Sequence, residues 1–169
     1  MSMSVDTVIS LNRTAYQSLK QAASVLGDQI SWCPLKKGRS ALNQLAECAG
    51  FANLTAIILQ TQQMPTLDMA EVRRQRAELD TAEKAFAALD SGMEKMAIAI
   101  ESFPGSKWEE TVILPFGAGI EKSFAELPLM VYWNAVYHEG QINLLQQMVE
   151  WDLPNLESQL LVSESSPAA

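Results

Sequence analysis

An all-α fold, specifically a four-helix bundle, is what this sequence predicts, and three observations carry the prediction. Val72, Leu79, Ala82, Phe86, Leu89, Met93, Met96 and Ile100 fall on helical, mostly three- and four-residue steps, interrupted only by a polar Gln75 between the first two. Such a heptad-like pattern places one apolar side on a long bundle helix. A second long amphipathic stretch runs from about Glu121 to Glu150. No segment alternates apolar and polar residues in the manner of a strand.

Taken in order, the first helix spans about Asp6 to Gly27, with Thr14, Tyr16, Leu19, Ala23 and Leu26 as its apolar stripe and Gly27 as its stop. A loop from Asp28 to Gly38 contains Trp32-Cys33-Pro34. Ser40 is placed to cap the second helix, Ala41 to about Gln63, which ends before Met64-Pro65. Its stripe of Leu42, Leu45, Ala49, Ala52 and Ala56 is rich in small residues that let helices approach closely. The third helix is the heptad segment. Residues 102–120 are broken by Pro104-Gly105 and by Pro115-Phe116-Gly117-Ala118-Gly119. Pro128 divides the fourth region, either as a kink or as the first residue of a helix after a short turn. Short connections make an up-and-down bundle the simplest arrangement, and a bundle with one long crossover is equally compatible.

At 169 residues the chain is one domain, read as a bundle over residues 1–155 and a C-terminal tail over 156–169. Leu156, Leu160, Leu161 and Val162 are able to dock on the bundle, whereas residues 163–169 read as mobile. A net charge of −8 argues against nucleic-acid binding, since the only basic cluster is Lys36-Lys37-Gly38-Arg39. No apolar run reaches the ~18–20 residues of a membrane span, and the N-terminus lacks signal-peptide character. Cys33 and Cys48 belong to no CxxC pair and read as thiols of a reducing, cytoplasmic setting.

The single histidine, His138, marks the candidate site. On a helix it shares a face with Asn134, Gln141, Leu145 and Met148, so a titratable ring and two amides turn inward with the apolar residues. Buried polar groups need partners or a metal, because an unpaired one costs ~1–3 kcal/mol. Trp108, Tyr132, Trp133 and Tyr137 either line a pocket there or serve as core and interface residues. Met93 and Met96 read as bundle core. No nucleophile elbow accompanies the histidine, and Gly117-x-Gly119 reads as a turn.

Two stretches resemble a known family. Ser40 to Phe51, with its Leu45-Ala46-Glu47 run, is similar to the second helix of the DinB-like (DinB/YfiT-like) four-helix bundles, where a metal-binding histidine follows a Leu-Ala pair. Asn134-x3-His138-x2-Gln141 resembles the family's His-x3-His-x2-Gln signature, with Gly140-Gln141 matching its Gly-Gln ending. The helix order and the loop before the last helix also agree. The resemblance implies an up-down-down-up bundle and puts Glu47, Asn134 and His138 at the three metal-ligand positions. A site of three imidazoles would bind Ni, Zn or Fe and leave positions open for water or a thiol. Here a carboxylate and an amide replace two of them, so the expected divalent-metal site is weak or degenerate, with Gln141 as a partner of the ligating ring.

Two readings follow from that resemblance. In one the protein is similar to metal-dependent thiol transferases or a thiol-dependent isomerase, with a small-molecule thiol as partner. In the other it is a non-catalytic dimeric or small-ligand-binding bundle, in which Glu47 and His138 pair across two helices and the amides complete a buried network. A homodimer is expected under both.

Overall fold

The structure, a computed structural model, describes residues 4–34, 38–115 and 118–151. Among the described residues five helices run α1 (Val5–Val25), α2 (Ala41–Thr61), α3 (Met69–Glu78), α4 (Ala82–Ser102) and α5 (Glu126–Glu150). A hairpin of β1 (Thr111–Leu114) and β2 (Ile120–Ser123) precedes α5, and 3-10 turns occupy Gly27–Ser31 and Gly105–Lys107. The four long helices form the bundle. Gln44 of α2 meets His138 of α5, and Gly92 and Lys95 of α4 meet Ala49 and Asn53 of α2, so α2 and α4 run parallel. Asn12 and Gln146 join α1 to α5 near Pro128 and Ala22, again in parallel, while the Lys20–Asp90 and Arg13–Glu94 pairs set α1 antiparallel to α4. The order is therefore up-down-down-up, and residues 62–81 make the one long crossover.

Local chemistry sets the helix ends. Ser4, Ser40, Asp68 and Thr81 each accept a backbone N–H of the first turn of α1, α2, α3 and α4. Gly27, with φ at +49°, breaks the helical path after α1. Pro128 lies in the first turn of α5, where its missing N–H has no intrahelical partner to lose, so it neither kinks the helix nor begins it. Glu126 reaches back to accept the backbone N–H of Ser123 at 2.8 Å. The expected apolar stripe holds for α2, whose Leu42, Leu45, Ala49, Ala52 and Ala56 are all buried.

 Tyr16, Leu19, Ala23 and Leu26 are likewise buried on α1, whereas Thr14 is exposed and Asn12 takes an inward position instead.

Three expectations are corrected. The heptad segment is two helices rather than one: Leu79 leaves helical geometry (φ −86°, ψ 58°) and Thr81 starts α4. None of the described residues of α3 is buried, so Val72 has no core to hold that half in line, and the Thr81 cap wins. The expectation of no strand fails at Thr111-Val112-Ile113-Leu114, where Val112 and Leu114 are buried and Thr111 and Ile113 are exposed. Three of those four residues are apolar, so their alternation is one of burial and not of polarity. Finally, the last helical region begins at Glu126 and not at Glu121, because residues 120–123 pair with β1 in the register Leu114↔Ile120 to Thr111↔Ser123.

Phe103 packs against both Trp108 and Phe124, at centroid distances of 4.4 and 5.1 Å, and this cluster seats the hairpin on the bundle. Trp108, partly buried, thus packs against the core, to which Met93 and Met96 belong. α2 is long and apolar enough to cross a membrane by length and composition, but most of it is bundle core. The tail beyond residue 151, with Leu156, Leu160, Leu161 and Val162, lies outside the described residues.

Gly50 provides a local test of α2. It is exposed, has no heavy atom within 4 Å of where a Cβ would stand, and lies in the helix interior. Gly50→Ala is expected to stabilise the protein by about 0.5–1 kcal/mol, through helix propensity and a less flexible unfolded chain. Urea denaturation checks this, and a loss of stability would mean that another surface covers this side of α2.

Candidate functional site

His138 reaches the interior because α5 turns Val131, Ala135, Ile142 and Leu145 inward on the same side. Its ring is 1% exposed. Gln44, also buried, comes from α2, and its carbonyl oxygen lies 3.0 Å from His138 Nδ1. Gln141 Oε1 lies 3.1 Å from the same nitrogen. The amide nitrogen of Gln44 donates to the Arg39 carbonyl at 3.3 Å, which turns its oxygen towards the ring. With two amide oxygens as its neighbours, Nδ1 is the nitrogen that carries a proton and donates.

The other ring nitrogen, Nε2, faces Glu47 Oε1 at 3.4 Å. That is long for a charge-assisted hydrogen bond, which closes to ~2.7–2.9 Å. Glu47 also pairs through its second oxygen with the Arg39 guanidinium. Hydrogen bonding to His138 is the main influence that holds the Glu47 carboxyl below its usual range. Burial pushes the other way, and the charges of Arg39, His138 and Arg76 add to the lowering. Glu47 is therefore an anion at neutral pH. A bare Nε2 lone pair aimed at that anion would be repelled, so the pair calls for positive charge between them, either a proton on Nε2 or a cation.

Glu47 and His138, placed on separate helices by the sequence, are thus brought together. Asn134 sits one turn before His138 on α5, half-buried, and its Oδ1 is buried with no hydrogen-bond partner among the described residues. Gln141 takes the role of partner to the ring. Among the described residues no three His, Cys, Asp or Glu side chains gather into a metal-type cluster. Tyr137 lies edge-on to the His138 ring at 5.3 Å and stacks on the exposed Trp133 at 5.4 Å.

Gln44 and Arg39 are participants that sequence reasoning missed. Gln44 lies three residues before Glu47, hence on the same side of α2, but it sits between the exposed Asn43 and the buried Leu45, and only its spacing from Glu47 hinted at a role. Arg39 was part of a short basic loop cluster, and Arg76 comes from α3. Cys48 is fully buried beside Glu47 in sequence. Burial, and secondarily the Glu47 charge, pushes its thiol up to about 12, which makes it an inert core side chain. Its carbonyl accepts from the Tyr16 hydroxyl at 2.8 Å.

No protein-family model matches the chain, and no curated protein matches it in sequence. Among solved structures it is similar to the mycothiol-dependent maleylpyruvate isomerase, at 13% identity and a TM-score of 0.66. It is also similar to a histidine-to-alanine mutant of that enzyme, at 12% identity and a TM-score of 0.69. Each comparison covers 83% of this chain and 61% of the isomerase chain, so this chain spans about three fifths of the length of those neighbours. The likeness shows the fold alone, an all-α helical bundle.

Proposed function

We propose that this DinB-like bundle holds a divalent cation, such as Ni, Zn or Fe, weakly between His138 Nε2, Glu47 Oε1 and Asn134 Oδ1. The observation that carries this reading is the disposition of His138. Its Nδ1–H is anchored by two amide oxygens, as the non-ligating nitrogen of a metal-bound histidine usually is, and its Nε2 points at an anion. The 3.4 Å between Nε2 and Oε1 also fits two donors ~2.0–2.2 Å from a shared tetrahedral ion. Asn134 Oδ1 supplies a buried acceptor that no other described residue uses.

One imidazole and two oxygens make a harder and weaker donor set than three imidazoles. Arg39 weakens it further by sharing Glu47. A bound divalent ion would act as a Lewis acid that lowers the pKa of a thiol or water. The chain's own residues would orient that chemistry: Gln44 and Gln141 keep the ring's proton on Nδ1, and Glu47 balances the charge. The fold likeness to mycothiol-dependent enzymes makes a low-molecular-weight thiol the ligand class to try first, and a thiol-transferase-like activity the one to assay.

A second reading rests on the Arg39–Glu47 ion pair. There Glu47 is already neutralised, a proton occupies Nε2, and the group is a buried network in a non-catalytic bundle. Thermal unfolding with and without added Zn or Ni separates the two. A site with a Kd of about 10 μM should add about 2.7 kcal/mol at 1 mM free metal, or roughly 5–10 °C in Tm. That shift should vanish in His138→Ala. No shift in the parent protein at 1 mM metal would leave the network reading.

A further inference from the structure

α5 carries an unusual outer side. Leu129, Trp133, Val136, Tyr137 and Leu144, together with Trp151 at its C-cap, are 38–67% exposed. At 100° per residue these positions fall within about 100° of one another, opposite His138 and the buried residues. Together they expose on the order of 700 Å² of mostly apolar surface. Monomers rarely leave that much contiguous, and it approaches the ~800 Å² per partner of a standard interface.

The stripe has a centre. Gly140 lies in its middle, deep inside a helix, with no heavy atom within 4 Å of where a Cβ would stand. Packing among the described residues therefore does not require glycine there. About Gly140 the pattern is self-complementary: Val136 and Leu144 lie four residues to either side, and Leu129 and Trp151 lie eleven. The stripe carries no charge between Leu129 and Trp151, α5 contains no Lys or Arg, and Glu126 at its start is engaged by Ser123 and Lys122.

We propose that this side of α5 is the interface between two copies of the chain, packed antiparallel across a two-fold axis at Gly140. Glycine there lets the helices approach at the crossing. Val136 of one copy then meets Leu144 of the other, and Leu129 meets Trp151, as an isologous interface demands. Tyr137 belongs both to the stripe and to the surroundings of His138, so the second copy borders the His138 site. This inference does not depend on whether a metal is bound.

Sedimentation equilibrium of the full chain tests it. The parent protein is expected to be a dimer at micromolar concentration. Val136→Lys and Leu144→Glu should each weaken association at least ~30-fold, as for a residue central to an interface. Both positions are exposed, so circular dichroism should show unchanged helix content. Combined in one chain, the two substitutions should restore at least ~10-fold of the affinity, since opposite charges then face each other twice. If a variant fails to fold, Gly140→Cys decides: it should cross-link two copies under mild oxidation, whereas Trp133→Cys should not, with the parent as control for Cys33. A monomeric parent overturns the proposal. So does a dimer indifferent to both charge substitutions, or a monomer that dimerises only after removal of residues 152–169, which would assign the stripe to the chain's own C-terminal segment.

Discussion

His138→Ala is expected to lower the stability of the metal-free protein by about 2–4 kcal/mol. The substitution strands the carbonyl oxygen of Gln44, which is itself buried, and it empties the volume of a ring that is 1% exposed. A stranded buried acceptor costs ~1–3 kcal/mol, and the cavity adds to it. Glu47 softens the loss, because it retains Arg39 and is partly exposed. Gln141, half-buried, can turn to solvent. With a urea m-value of about 2 kcal/mol/M, the midpoint should fall by roughly 1–2 M. Glu47→Gln should cost less, since an amide in that place still offers an oxygen to Nε2–H. If His138→Ala shifts the midpoint no more than Glu47→Gln does, the network around the ring is not what orders this part of the bundle.

A comparably large effect should follow from Gly92→Leu on α4. A Cβ at Gly92 would already stand 3.0 Å from the carbonyl oxygen of Ala49 and 3.4 Å from Ala52 Cβ. Leucine adds three further carbons to a contact whose nearest atom is backbone and cannot rotate away. The loss should reach about 3 kcal/mol, at the upper end of what overpacking a close-packed core costs, or roughly 6–12 °C in Tm. Gly92→Ala should change far less, because a gain of about 1 kcal/mol in helix propensity opposes the single tight contact. Differential scanning calorimetry of the pair checks both. Equal effects for alanine and leucine would show that α2 and α4 move apart easily at this point.

The two experiments probe what was and was not legible in the chain. The alanine stripe of α2 could be read directly, because a helix with small residues at steps of three and four has one obvious use. Its counterpart, Gly92, could not be singled out, since a glycine within a heptad segment reads only as a weak helix position until the facing backbone is known. Likewise Ser40 announces a cap through its position before an apolar run, whereas Thr81 is hidden by a periodicity that continues across it. The β1–β2 hairpin was hidden for a related reason: Thr-Val-Ile-Leu has strand-forming side chains but no polar alternation.

By itself, then, the sequence determined that the chain is helical, that Gly27 stops α1 and Ser40 caps α2, which residues of α2 are core, and that His138 goes inside. These follow from spacing and side-chain chemistry within one helix, where neighbours are set by the 3.6-residue period. Only the tertiary structure decided that α2 crosses to α5 with Gln44 and Glu47 on opposite nitrogens of His138, that the heptad segment divides at Leu79, and that one side of α5 is left without a partner among the described residues. Each of these depends on what stands across a helix–helix interface, and a period along one chain carries no information about the register of another.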